Sequence, residues 1–279
     1  MTFPCDQCDR LLIVDVGMND GSDTAYYLHC GYRVVAVEAN PKLTSLAERR
    51  FHRHIANGQL TVLNVGIADR EGTSDFWIAA TNDQWSSFSK PIATRRGTTV
   101  CEEPVRVHCL PLSAVLAEFG KPFYLKMDIE GYDVIGLESL SRDLAPQYIS
   151  VEFAHGTEME LLERLLGLGY CRFKLLNQVT YTDHPPIFED ELPYRAVRKL
   201  YALAPPLRPV IRNVVHKSDF DTFQNTRHWR FPEGSSGPFG EQTYGDWMTS
   251  DEVLRRYSKL HRKFQKAGAV FWWDLHATA

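Results

Sequence analysis

Several features are missing from this 279-residue chain, and each absence removes a class of protein. No apolar stretch approaches the roughly 18 residues that would suggest a membrane span. The opening residues, Met-Thr-Phe-Pro-Cys-Asp-Gln-Cys-Asp, lack a basic region followed by an apolar one. No signal peptide is visible, and the cytoplasm is the expected compartment. Cysteine is sparse and scattered, at Cys5, Cys8, Cys30, Cys101, Cys109 and Cys171. Cys5-x-x-Cys8 is half of a zinc site with no second C-x-x-C to close it, so it reads as part of an N-terminal tail. The other cysteines read as small apolar residues in a reducing compartment. There is no internal repeat. Nothing resembles a nucleic-acid module, and the net charge of −4 argues against one.

What remains is the composition of a globular protein, 44% hydrophobic and 24% charged, enough for a sizeable core. The charge is uneven. Residues 195–279 carry 14 Lys and Arg against 8 Asp and Glu, a net +6, so residues 1–194 carry −10. A basic C-terminal third could face an acidic or phosphorylated substrate, although solvated helix faces such as Arg255-Arg256-x-x-Lys259-x-x-Arg262-Lys263 explain it as well.

The most telling segment is Leu11–Gly21. An apolar strand ends in Asp15, then turns through Gly17-Met-Asn-Asp-Gly21 into a helical segment from Ser22 to Cys30. A second strand, Arg33-Val-Val-Ala-Val-Glu38, also ends in an acid. This is the layout of a nucleoside-binding βαβ unit, in which glycines admit a ligand to the backbone and the second acid holds a ribose diol. A dinucleotide site wants G-x-G-x-x-G and N–H groups crowding a pyrophosphate. Here three residues separate the glycines, and Asp15 and Asp20 flank the turn. Acids repel a pyrophosphate but suit the ammonium end of a methionine moiety, so the detail favours S-adenosylmethionine.

Strands continue to alternate with helices through residue 178, which predicts a doubly wound, mostly parallel α/β sheet. Strands fall at about 11–16, 33–38, 60–65, 123–128, 148–153 and 171–177, with a hairpin addition from Ser74 and a further strand at 104–109. Residues 1–10 read as a tail and 11–178 as the core. Residues 179–268, rich in proline, aromatic and basic residues, read as an insertion that caps the substrate. Residues 269–279 read as the closing strand of the core sheet, with Trp272 and Trp273 on opposite faces.

Several pieces together resemble the FkbM family of S-adenosylmethionine-dependent methyltransferases. They are Val14-Asp-Val-Gly17-Met-Asn-Asp-Gly21, Ala36-Val-Glu38-Ala-Asn-Pro41, Asn64-Val-Gly66-Ile-Ala-Asp69, Ser86-Ser-Phe88 and Leu125-Lys-Met-Asp128-Ile-Glu130-Gly131-Tyr132. The last is the most specific, and the likeness covers roughly residues 11–178. It implies the seven-stranded, Rossmann-like class I methyltransferase fold with an insertion before the last strand. It also implies S-adenosylmethionine as cofactor and O-methylation of a hydroxyl on a sugar or natural product.

On this reading Asp15, Gly17, Asn19, Asp20 and Gly21 surround the methionine portion, Glu38 with Ala39 and Asn40 takes the ribose, and Gly66 and Ile67 lie near adenine. Doubly wound sheets place their sites beyond the carboxyl ends of the strands. That directs attention to Asp128, which also borders the donor, and to Glu130, Glu152 and His155. His155 and Asp128 compete as general base, with Glu152 as the third catalytic candidate. Lys126 and Asp128 share a sheet face, and a buried lysine needs a carboxylate, so their mutual pairing is the plain alternative to catalysis. Asp128 and Glu152 are the pair that would meet a divalent cation. That cofactor is not favoured, because two carboxylates in one cleft more often form an ion-pair network.

Trp85, Ser86 and Ser87 offer an aromatic platform and hydroxyls to a sugar, and Glu130, Arg227 and Arg230 complete the expected substrate contacts. Tyr244, Trp247, His228 and Trp229 are candidate lid residues. The expected partner is a small-molecule acceptor, sugar-bearing or anionic, with no nucleic acid. Two other classes stay open: a catalytically silent S-adenosylmethionine- or nucleotide-binding protein of the same fold, and an NAD-dependent oxidoreductase.

Overall fold

The computed structural model describes residues 11–80, 83–95, 99–101, 103–154, 156–178, 229, 231, 235–266 and 272–279. The chain divides into two units, residues 1–152 with 159–169, and residues 153–158 with 170–279.

In the first unit, β1 (Leu12–Val16), β2 (Arg33–Val37) and β3 (Leu60–Leu63) alternate with α1 (Ser22–His29), α2 (Pro41–Arg50) and α3 (His52–Ala56). All five residues of β1 are buried, as expected for a strand covered on both faces. Its neighbours are β2 and β7 (Tyr124–Met127), both parallel to it, and β7 pairs in turn with β8 (Tyr148–Glu152). Asn40-Pro41 starts α2 as its sequence suggests, with the Asn40 side chain accepting from Lys42 N and proline in the first turn. Helices α2 and α3 are separated at Phe51, whose φ and ψ leave the helical region.

A small second sheet has the order β4 (Gly66–Ile67), β6 (Val105–Leu110), β5 (Gly72–Phe76). The strand following Gly72 thus finds its antiparallel partner some thirty residues later. Between them lies α4 (Lys90–Ala93); α5 (Leu112–Phe119), α6 (Asp133–Glu138) and α7 (Glu158–Leu168) follow.

In the second unit, β9 (Arg172–Asn177) pairs antiparallel with β10 (Trp273–Thr278), and Phe173 exchanges two backbone hydrogen bonds with Met248. Trp272 precedes the strand, and Trp273 is its first residue. Helix α8 (Ser250–Lys266) begins with a capping box: Glu252 Oε2 accepts from Thr249 N at 2.8 Å. It buries Val253 and Tyr257 and exposes Arg255, Lys259 and Arg262 to solvent. The main sheet has seven strands and is mostly parallel, in the order β3-β2-β1-β7-β8-β10-β9.

No helix among the described residues is long and apolar enough to cross a membrane. Of the described cysteines, Cys109 is buried, but Cys101 and Cys171 are exposed and do not pack as core residues.

Candidate functional site

Two loops at the carboxyl ends of parallel strands build the site in the first unit. One is the turn Gly17–Ser22 after β1, and the other is the tip Asp128–Gly131 after β7. They touch through backbone: a Cβ on Gly17 would lie 2.0 Å from the Asp128 carbonyl oxygen, and Gly17 has φ +78°. Both observations require glycine. Among the described residues, the non-glycine positions with positive φ are Asn19 (φ 53°) and Glu130 (φ 50°), one on each loop. Such strain costs about 1–3 kcal/mol and persists where the surroundings over-determine it.

The turn uses up its own donors. Gly17 N and Met18 N donate to Val37 O, and Gly21 N donates to Met18 O. Asn19 N donates to Glu38 Oε2, Asp20 N to Asn19 Oδ1 and Ser22 N to Asp20 Oδ1. Every N–H from Gly17 to Ser22 therefore has an acceptor within the protein. A phosphate-binding loop has the opposite design, with N–H groups left free for the anion.

Glu38 closes the turn from β2. Its second oxygen accepts from Asn40 N at 2.8 Å, so each oxygen holds one backbone N–H and keeps acceptor capacity for a diol. Burial pushes the Glu38 carboxyl up, against the opposing pull of those N–H groups. The buried Asn40 Nδ2 has no hydrogen-bond partner among the described residues. An orphaned donor beside an acid that ends β2 fits a ligand carrying hydroxyls, so these residues suit S-adenosylmethionine. Asn64 Nδ2 ties the end of β3 to Glu38 O and Ala39 O. Gly66 and Ile67 are buried as β4 beside Cys109 and Leu110, packed by Phe88 and by α6.

Three sequence expectations change here. Asp15 was expected beside the methionine portion, yet its carboxylate is fully buried, accepting from Thr24 Oγ1 at 2.6 Å and lying 3.3 Å from Lys126 Nζ. It supports the turn from beneath. Lys126 pairs with Asp15 and Asp23, not with Asp128. Strand neighbours and the first turn of α1 reach its amine, and Asp128 acts on it only as a nearby charge. Ser86 and Ser87 were expected to meet the acceptor, but both are buried and bound to backbone. Ser86 Oγ accepts from Ala79 N, and Ser87 Oγ donates to Glu130 O.

Those serines belong to a segment fastened onto the β7 tip. Phe88 packs on Tyr132, and Ile92 lies against Gly131. Arg95 Nη2 meets Glu130 Oε2 at 2.6 Å, and its guanidinium lies 5.5 Å from the Trp85 ring centroid. Glu130 is thus held by Arg95 in this structure, and Trp85 keeps partial exposure. Arg95 is a site residue that no local pattern marks, since its partner lies 35 positions away.

Glu152, at the end of β8, completes an acidic group with Asp128, Glu130 and Asp133. Burial pushes the Glu152 carboxyl well above its ordinary range, and the charges of Asp128, Glu130 and Asp133 add to this while Arg95 opposes it. Asp133 is raised in the same way, first by burial and then by Asp128. Among the described residues no three or more His, Cys, Asp or Glu converge as metal ligands. His155, Arg227, Arg230, His228, Cys5 and Cys8 lie outside the described residues, as does most of 179–268. Trp247, in the second unit, donates to Glu241 and carries Lys174 Nζ 4.5 Å from its ring centroid, a packing role within that unit. Tyr244 is exposed.

The FkbM methyltransferase domain profile matches residues 15–175. The chain belongs to the FkbM methyltransferase family. The matched span runs from the last acid of β1 to β9 and so contains both loops of the site. Solved structures with a similar arrangement include a precorrin-6y C5,15-methyltransferase from Geobacter metallireducens, 14% identical over 61% of this chain and 70% of that one, with a TM-score of 0.33. A predicted O-methyltransferase from Agrobacterium tumefaciens is 12% identical over 66% and 72%, with a TM-score of 0.35. A phosphoethanolamine N-methyltransferase from Haemonchus contortus is 10% identical over 98% of this chain and 50% of that one, with a TM-score of 0.37. No curated protein matches the sequence significantly.

Proposed function

We propose that this FkbM protein transfers a methyl group from S-adenosylmethionine to a hydroxyl of a polar small molecule, a sugar or a decorated natural product. The observation that carries the reading is the Gly17–Ser22 turn, whose backbone donors are all engaged and whose flanks are acidic. Such a surface disfavours a pyrophosphate and tolerates a cation, which weighs against NAD and for a sulfonium donor.

When bound, S-adenosylmethionine supplies an electrophilic methyl on a positive sulfur. The protein's part is to orient the reactants, exclude water and accept the hydroxyl proton. Glu38 and Asn40 hold the ribose end, and the turn takes the amino-acid end. Glu152 and Asp128 are the proton acceptors on offer at the strand ends. Glu152 is a stronger base than an ordinary carboxylate, because burial and three neighbouring acids raise its proton affinity. Arg227 and Arg230 are proposed to meet an anionic group of the acceptor.

Incubation with methyl-labelled S-adenosylmethionine and a panel of neutral and acidic sugars tests this. Label should appear as an ether on a hydroxyl, and Glu152→Gln should cut turnover by about 10²–10⁴-fold with donor affinity retained, the range for a lost general base. Tight donor binding with no labelled product from any hydroxyl acceptor would favour a silent binding protein, and label on nitrogen would contradict O-methylation.

A further inference from the structure

Beneath the donor turn lies an ionic group that the proposed chemistry does not use. Lys126 Nζ donates to Gly17 O at 2.8 Å and lies 3.3 Å from Asp15 Oδ1 and 3.8 Å from Asp23 Oδ2. All three side chains are at least nine-tenths buried. Thr24 Oγ1 adds a hydrogen bond to Asp15. Burial works against the lysine's charge, but the two carboxylates, with Asp128 behind them, outweigh it and keep the amine protonated. Each member comes from a different place, Asp15 from β1, Asp23 from the first turn of α1 and Lys126 from β7.

An ammonium that needed only neutralising would have been served by one carboxylate, whereas two leave the group with a net negative charge. Buried ion pairs contribute little net stability and are poorly explained by stability alone. The hydrogen bond to Gly17 O, on the residue whose Cβ position is taken by the Asp128 carbonyl, gives the group a positional task. It fixes the Gly17–Met18 peptide by its carbonyl, while Val37 O accepts from the N–H of that same peptide and from that of the preceding one.

We propose that Lys126, Asp15 and Asp23 form a positioning strut for the donor turn whose net negative charge favours the cationic sulfonium donor over the neutral thioether product. This rests on the methyl-donor reading above. Methyl transfer breaks the C–S bond, leaves its electron pair on sulfur and removes the sulfur's positive charge. A buried negative charge under the turn then holds the product less tightly than the donor and eases its exchange.

The test needs only S-adenosylmethionine and S-adenosylhomocysteine, titrated calorimetrically into the full chain. Asp23→Asn is close to isosteric and removes one charge. It should weaken S-adenosylmethionine and spare S-adenosylhomocysteine, lowering the donor-to-product affinity ratio by about fivefold or more, the scale of one charge acting through a moderate effective dielectric. Thr24→Val removes the hydrogen bond to Asp15 and no charge, so it should leave that ratio as in the wild type. Lys126→Arg keeps the charge and should keep the ratio while weakening both ligands through a displaced turn. A ratio unchanged in Asp23→Asn, or changed equally in Thr24→Val, overturns the proposal. Wild-type protein that binds neither ligand would instead overturn the methyl-donor reading on which it stands.

Discussion

At the scale of single residues, the site depends on carboxylates with different assignments. Glu38 holds Asn19 N and Asn40 N, and in the proposed function it also receives the donor's ribose. Glu38→Ala should therefore weaken S-adenosylmethionine binding by roughly 1–3 kcal/mol, the scale of lost charge-assisted bonds. Unchanged affinity by calorimetry would remove Glu38 from the donor site. Glu152 makes a second prediction, with a definite sign. Its folded carboxyl is raised by burial and by Asp128, Glu130 and Asp133, so the stability it contributes is fully present below the unfolded carboxylate range. That stability is lost as pH rises through the raised value. Glu152→Gln should accordingly melt higher than wild type at neutral pH, and the gap should close as pH falls toward the ordinary carboxylate range. A melting temperature below wild type at neutral pH would show that Glu152 is not held against its ionisation. The wild-type acid limb of the rate profile should likewise lie above the ordinary carboxylate range.

At the scale of elements, the glycines divide by what they meet. Gly17 faces fixed backbone, the Asp128 carbonyl, while Gly131 faces the Cδ1 of Ile92 at 2.5 Å, the far end of a flexible side chain. Both have positive φ, but Gly17→Ala adds a backbone clash to the strain. It should cost more than the roughly 1–3 kcal/mol of positive-φ strain that Gly131→Ala incurs. Denaturant melts of the pair check this, and equal losses would mean that the two loops do not meet as described. The β1 turn, α1 and β2 were legible because their signals are local: apolar runs, glycine spacing and an Asn-Pro start. So were β9 and β10, expected at 171–177 and 269–279. What could not be read were pairings made by distant elements. Arg95 reaches Glu130, Ser87 reaches Glu130 O, and Lys126 chooses Asp15 and Asp23 over Asp128. Each choice is settled by how strand ends approach in three dimensions, and no spacing in the chain encodes it. The two serines looked available as exposed loop hydroxyls, but buried loop backbone needs hydrogen-bond partners and claimed them.

At the scale of the whole molecule, residues 178–272 separate the antiparallel strands β9 and β10. All six residues of β10 are buried. Truncation at residue 268 should yield insoluble or unfolded protein, since a buried strand and Trp273 are lost together; a soluble truncated chain with native melting behaviour would show that β10 is dispensable. The central claim for the chain is that its FkbM core takes a methyl donor in a pocket built against phosphate. Parallel calorimetric titrations of the full protein with S-adenosylmethionine and with NAD test it most directly. The account predicts saturable one-site binding of S-adenosylmethionine that Glu38→Ala weakens, and no binding of NAD at the same concentrations. Binding of NAD at comparable affinity, or its displacement of S-adenosylmethionine, would contradict it.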